Sequence, residues 1–401
     1  MKLIKVLLSI IIGLGVIFGA LTVANHINKQ AMFDYIDTFS KVEYENQLTP
    51  SEDELGVYFT TDGDFRIMHL TDVHIGGSAV SATDDKKAFN AIAAMVHAEK
   101  PDLVVITGDI SFAVPWGFTL NNEHTHSMFI RFMEQLGVYY TVAFGNHDSE
   151  KYNFYSRQAV AGFYSDESLK YSLFSAGPAD IYGECNHSIT VRNTEGYITQ
   201  SLIMIDTNAY TDEDPLGLGW VYDNIHEDQI DWYRQTVETQ TAYNKALGEE
   251  LDSTQEVPTV KSLIFMHIPL MEMQDATFLY LEESEEVIYH GGKIGESYPY
   301  VYPPETPDNM FETILELGST QGMFYGHDHL NNTVLEYKGV TLSYGYSIDY
   351  FAYIDIDKVG SQRGCTMITC KPDTTVEIVH ENYYQDKYVP LYDKEVVDLT
   401  N

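Results

Sequence analysis

FRIMHLTDVHIGG, residues 65–77, is followed by KAFNAIAAMVHAEK at 87–100 and DLVVITGDIS at 102–111. The first and third stretches are short β-branched or apolar runs that end in polar residues, and the second has helical spacing, so together they predict a β-α-β unit. Pro101 stands between helix and strand, and its fixed φ favours a break there. Outward from this unit the alternation recurs. HSMFIRFMEQLG reads as a helix, VYYTVAFGNHD and SLIMIDTN as strands, DQIDWYRQTVETQTAYN as a helix, and VKSLIFMHIPL and GMFYGHDH as strands. Strands alternating with helices predict an α/β fold. Beyond residue 333 the period-2 runs TVLEY, VTLSYG and FAYIDID predict strands that complete the same core. The chain shows no internal repeat and no low-complexity tract.

With 401 residues, 44% of them hydrophobic, the chain can bury a large core. Its 60 acidic and 23 basic residues leave a formal charge of −37, spread along the sequence. Such a surface repels polyanions, which argues against a nucleic-acid partner, although a small phosphate ester can enter where cations gather.

Residues 1–24 differ from the rest. Lys2 and Lys5 flank the start of an uncharged, apolar segment, as in a signal anchor or a signal peptide. Either reading exports the remainder, to the outer face of the membrane or beyond it. Residues 25–60 read as an acidic spacer, and 61–401 as the working domain. Cys365 and Cys370 are close enough in sequence to pair across a turn, with Cys185 left over, and no bridge is assigned.

The polar clusters share one feature: each falls where an apolar strand stops. They are Asp72 with His74, Asp109, the run Asn146-His147-Asp148, His267, and His327 with His329. In α/β sheets ligands bind beyond the carboxyl ends of the strands. Taken singly, these residues suit turns and caps as well as chemistry. Five strand ends supplying two aspartates, an asparagine and four histidines, with no thiolate, point to zinc, iron or manganese. His69 is out of phase with that end of its strand and reads as packed, and Asp206 reads as a structural turn residue.

TDVH, TGD, GNHD, MHIP and YGHDH occur in the order of the calcineurin-like metallophosphoesterase pattern, which the chain resembles across residues 65 to about 350. Within that superfamily GHDHLNN and FMHIP are similar to the purple acid phosphatase-like branch. The resemblance implies two packed mixed β-sheets flanked by helices, and two divalent or mixed-valence ions bridged by Asp109. Asp72, His74 and His329 would complete one ion's shell, and Asn146, His267 and His327 the other's. His147 would protonate the leaving group, with Asp148 orienting its ring. Two residues depart from the purple enzymes: Phe112 stands where they carry a metal-bound tyrosine, and His74 where they lack a histidine. No tyrosinate-coloured ferric centre is therefore expected.

The implied activity is an exported phosphomonoesterase acting on small phosphate esters. A phosphodiesterase or nucleotide hydrolase with the same centre, and a non-catalytic surface module stabilised by metal, are the alternatives. His124 and His126, between Asp109 and Asn146, are candidates to border the substrate opening. Lys293, in the Tyr- and Gly-rich insertion at 272–308, is a candidate to meet the phosphate or a distal substrate group, and the insertion itself reads as a loop.

Overall fold

The chain is described by a computed structural model covering residues 2–251, 257, 259–353, 356 and 363–397. Its helices are α1 (Lys2–Ile36), α2 (Ala82–Glu99), α3 (Asn122–Leu136), α4 (Arg157–Tyr164), α5 (Glu227–Glu250), α6 (Met271–Leu281) and α7 (Met310–Leu317). The strands are β1 (Ser51–Asp53), β2 (Gly56–Thr60), β3 (Phe65–Leu70), β4 (Leu103–Thr107), β5 (Tyr140–Ala143), β6 (His187–Arg192) and β7 (Ile198–Met204). They continue with β8 (Ser262–Phe265), β9 (Val287–Gly291), β10 (Thr320–Tyr325), β11 (Val334–Tyr337), β12 (Val340–Tyr344), β13 (Gly364–Cys370) and β14 (Val376–Asn382).

These strands form two mixed sheets, one of five strands in the order β14-β13-β3-β4-β5 and one of nine in the order β1-β2-β6-β7-β8-β10-β12-β11-β9. The alternation of side chains explains how the sheets stack. In β7, β8 and β10, Leu202, Leu263 and Phe324 share one core with the five-stranded sheet, whereas Ile203, Ile264 and Met323 turn to a second core under α5, α6 and α7. Both faces of these parallel strands are buried, which is why their sequences read as continuous apolar runs. His69 lies between the sheets, with Nε2 2.7 Å from Thr107 Oγ1 and its ring against Phe265 and Phe324.

Parallel pairing decides where the chemistry sits. β3, β4 and β5 run parallel in one sheet, and β7, β8, β10 and β12 in the other. Their carboxyl ends therefore deliver loops to a common edge.

Residues 25–60, expected to be a spacer, are largely incorporated into the fold. α1 continues to Ile36, with Asn25, Met32 and Ile36 buried, and Phe39 and Val42 follow into the core. Near-helical spacing of these contacts makes a docking stripe. Asn25 Nδ2 donates to Phe118 O, Asn28 Nδ2 to Ser78 O, and Lys29 pairs with Glu123. β1 and β2 extend the nine-stranded sheet. The N-terminal part of α1 is exposed and is long and apolar enough to cross a bilayer, as a signal anchor or signal peptide would be.

The insertion at 272–308 contains α6 and the edge strand β9 rather than only a loop. Cys365 and Cys370 lie on the same strand, β13, and Cys185, Cys365 and Cys370 are buried free thiols. Their odd separation along an extended strand sends Cys365 and Cys370 to opposite faces, so they do not pair across a turn. The FAYIDID run falls partly outside the described residues, and its described part forms no strand.

Candidate metal centre

The loops after the strands are tight. Asp72, His74, Asp109 and His327 have φ of 50°, 51°, 49° and 75°, a left-handed conformation that non-glycine residues adopt at a cost of about 1 kcal/mol each. Glycines in the motifs permit the crowding. A Cβ on Gly145 would lie 2.2 Å from Asp109 Oδ1, and one on Gly326 would lie 1.9 Å from Thr71 Oγ1 and 2.7 Å from Asp72 Oδ2. Backbone and carboxylates thus approach more closely than any side chain would allow.

Asp72, His74, Asp109 and His329 converge, with one donor atom from each lying within 4.8 Å of the others. Asp109 extends the cluster. Its Oδ1 accepts the His147 backbone N–H at 2.8 Å, which leaves Oδ2 3.4 Å from His74 Nε2 and 3.2 Å from His267 Nε2. On the far side His327 Nδ1 lies 3.1 Å from Asn146 Oδ1, and the His267 and His327 rings are 5.3 Å apart. The structure therefore gathers all seven expected donors, with Asp109 between the two sets.

Two donors are oriented by hydrogen bonds from behind, and two more face a buried carboxylate. His267 Nδ1 lies 2.7 Å from Thr107 O; donation there leaves the Nε2 lone pair facing Asp109. Asn146 Nδ2 donates to Tyr210 Oη at 3.0 Å, turning its amide oxygen toward His327. Asp328 points away and accepts the Tyr344 hydroxyl. Asp349 Oδ2 lies 3.7 Å from His74 Nδ1 and 3.5 Å from His329 Nδ1, while its carboxylate accepts N–H groups from Phe351, Ala352 and Tyr353.

The donor set fits cations. His74 Nε2, Asp109 Oδ2 and His267 Nε2 are buried, face one another and have no hydrogen-bond partner. Leaving such atoms unpaired is expensive unless something else satisfies them. The charge balance points the same way. Burial favours neutral imidazole, yet Asp109 lifts His267 to about 9, and Asp349 and Asp72 lift His329 to about 10. The carboxylates thus favour positive charge within this cluster. Burial alone would raise Asp109, but His267 and His147 hold it well below the usual carboxylate range.

His147 lies beside this cluster, its ring 5.8 Å from that of His74, and a quarter of its side chain is exposed. Its partner is not Asp148. Nδ1 lies 2.7 Å from Glu150 Oε1, whereas Asp148 is buried and accepts four backbone N–H groups, from Asp109, Ile110, Ser111 and Gly145. Asp148 therefore ties the loop after β4 to the loop after β5. Burial opposes charging His147, but Asp109 and Glu150 prevail and raise its pKa. Phe112 packs edge-on against His74 and His147 at 5.2 and 5.0 Å and offers no oxygen.

Neither expected substrate-opening histidine belongs to the donor cluster. His126 is buried on α3, with Nδ1 3.0 Å from Tyr164 Oη and Nε2 2.9 Å from Asp148 O. His124 lies on the same helix beneath α1, where it lines a groove with Phe18, Leu21 and Phe118. Helical spacing in HTHSMF carried both rings onto packed faces. The Lys293 backbone is tied to Asn332 and Thr333, beyond the His327–His329 pair.

Two further residues hold the Asn146 loop. Arg157 Nε donates to Asp206 Oδ2 at 2.8 Å, Nη2 donates to Asp206 Oδ1, and Nη1 reaches Gly145 O at 2.8 Å. Asp206, expected to be a turn residue, is thus half of a buried ion pair. A cleft of about 1140 Å³, lined by Glu150, Phe154, Arg157 and Tyr210 among others, opens beside the centre.

With this geometry in place, comparison with known proteins defines the class. The sequence profile described as calcineurin-like phosphoesterase matches residues 65–331, and the chain belongs to that family. Its relatives are purple acid phosphatase-like. "Probable inactive purple acid phosphatase 14" of Arabidopsis thaliana is 25% identical over 79% of this chain and 78% of its own length. "Phosphatase DCR2" of Saccharomyces cerevisiae is 24% identical over 69% of this chain and 46% of its own. Among solved structures, a dimetal phosphatase from Danio rerio aligns over 80% of this chain and 100% of its own with a TM-score of 0.45 and 11% identity.

Proposed function

We propose that the chain is an active, exported phosphoesterase with a two-cation centre, and that it acts on phosphate monoesters. The observation that carries this reading is Asp109 Oδ2, unpartnered between His74 Nε2 and His267 Nε2 and joining two complete donor sets. Asp72, His74, Asp109 and His329 would hold one cation, and Asp109, Asn146, His267 and His327 the other. Zinc, iron and manganese suit these donors. Bound there, such ions supply positive charge for phosphate oxygens and lower the pKa of water.

The chain's own residues do the rest. The Asp109 carboxylate is locked by the His147 N–H, so the two donor sets keep a fixed spacing. His147 gives its proton to the leaving oxygen as the P–O bond breaks and a water oxygen, its own proton released to solvent, bonds to phosphorus. Glu150 holds the His147 ring in place and favours its protonated form. Phe112 shields one side of that ring from water.

Three relatives are named as probably inactive. This chain keeps all seven donors and a proton donor with its own carboxylate partner, which supports activity here. Hydrolysis of an aryl phosphate and a bis-aryl phosphate, each with and without chelator, tests the reading. Chelator-sensitive turnover favouring the monoester is expected; a preference for the diester would reverse the substrate class, and chelator-insensitive turnover would remove the mechanism.

A further inference from the structure

The apolar part of α1 does not leave the domain at a remote point. Asn25, the first polar residue after the apolar run, is buried and clamped between two loops that follow metal motifs: its Oδ1 accepts the Ala79 N–H at 3.1 Å and its Nδ2 donates to Phe118 O at 2.8 Å. One loop runs on from His74, the other from Asp109 and Phe112. Among the described residues these loops carry exposed apolar side chains, with Trp116 67%, Val80 57% and Phe118 51% accessible.

The loop after Asp109 also reaches past Asn25 along the helix. An apolar groove of about 630 Å³ lies between α1 and residues 115–121, with Phe18, Leu21, Val23, Phe118, Leu120 and Phe154 in its walls. Phe18 stands two turns before Asn25, about 10 Å toward the N-terminus at the rise of an α-helix. If the apolar residues of α1 lie in a bilayer, Phe118 and Phe154 lie at the depth of its surface layer, where aromatic rings are favoured. Phe154 also lines the polar cleft that contains Glu150, the partner of His147. Groove and cleft therefore share a wall. Trp116 in turn packs 6.0 Å from Phe112, whose ring touches His74 and His147.

We infer that the rim of the metal centre is seated in the membrane surface, and that its substrate is a lipid-borne phosphate monoester whose apolar chain occupies the groove between α1, Phe118 and Phe154. The substrate assignment rests on the phosphoesterase reading; the seating does not. Apolar contact, rather than charge, must drive the seating, because a chain with a net charge of −37 is repelled by anionic headgroups. A lipid chain also accounts for a groove whose wall is partly the anchor itself.

The test uses the full chain reconstituted in phosphatidylcholine vesicles. In the double variant Trp220→Phe, Trp232→Phe, Trp116 is the sole indole, and its emission should be quenched when the acyl chains are brominated. Unquenched emission would overturn the seating. Hydrolysis is then compared for dioleoyl phosphatidate in the vesicles and glycerol phosphate in solution. A preference of about tenfold or more for the lipid is expected, the scale on which apolar contacts discriminate substrates, and Phe118→Ser with Phe154→Ser should reduce that ratio toward one. Equal turnover would overturn the lipid assignment. Hydrolysis of neither substrate with quenching intact would support the seat and remove the phosphoesterase reading. N-terminal analysis of the exported chain provides an independent check: a mature terminus at or beyond Asn25 would delete one wall of the groove and overturn both parts.

Discussion

Asp349 Oδ2 lies 3.5 Å from Nδ1 of His329, the ring atom turned away from the donor cluster. The same carboxylate stands behind His74. One buried group thus faces two imidazoles assigned to the same cation, and three backbone N–H groups fix it in turn. Asp349→Asn should weaken metal binding by about 10–100-fold, the usual effect of losing such a carboxylate. Competition against a chromophoric chelator measures this directly; unchanged affinity would show that Asp349 serves only its own loop.

His147→Ala should lower kcat by about 10²–10⁴-fold for an alkyl phosphate, whose leaving oxygen needs a proton, and by much less for a nitrophenyl phosphate. Glu150→Gln should follow the same pattern with a smaller loss. Equal losses on both substrates would assign His147 to substrate binding instead of proton transfer.

Asp206→Ala should destabilise the fold by about 3–5 kcal/mol, because it leaves the Arg157 guanidinium largely buried without its carboxylate. Chemical unfolding measures the loss. Since Arg157 also holds Gly145 O beside Asn146, the variant should bind metal more weakly than its stability alone accounts for. A loss under 1 kcal/mol would contradict the buried-pair assignment.

Burial lowers His69 to about 3 and His187 to about 4, whereas imidazoles of an unfolded chain titrate near 6.5. Between those values the unfolded chain takes up protons that the folded chain refuses. The stability contributed by these two rings is therefore complete above about pH 6.5 and falls as the pH drops toward 4, by up to ~1.4 kcal/mol per pH unit for each ring. The urea midpoint of the chain relative to that of His69→Gln should fall as the pH is lowered across this range. A flat profile would mean that these rings are not held neutral.

The candidate donors are legible in the sequence because each follows an apolar strand, all but His267 with a glycine nearby, and parallel pairing sends such loops to one edge. Asp349 carries no comparable signal: it sits in SIDYF, an unremarkable stretch after β12, and only the return of that loop to Asp72 brings it close. Glu150 was hidden by its neighbour, since the adjacent Asp148 is the natural guess for a ring partner until the tight turn at 147–149 sends it to the backbone. His126 goes the opposite way, as helical spacing places its ring among Tyr164 and the Asp148 backbone. Residues 25–42 lack a strong pattern of their own, because their burial depends on tertiary contacts with α2 and α3.

Whether Asp109 joins two cation sites is decided by the metal content of the purified full-length chain. Elemental analysis should find two transition-metal equivalents per chain, and Asp109→Asn should lose metal and chelator-sensitive hydrolysis together while remaining folded. A chain that holds no more than one equivalent after reconstitution with excess zinc, iron or manganese, or an Asp109→Asn variant that keeps both ions, would contradict the account.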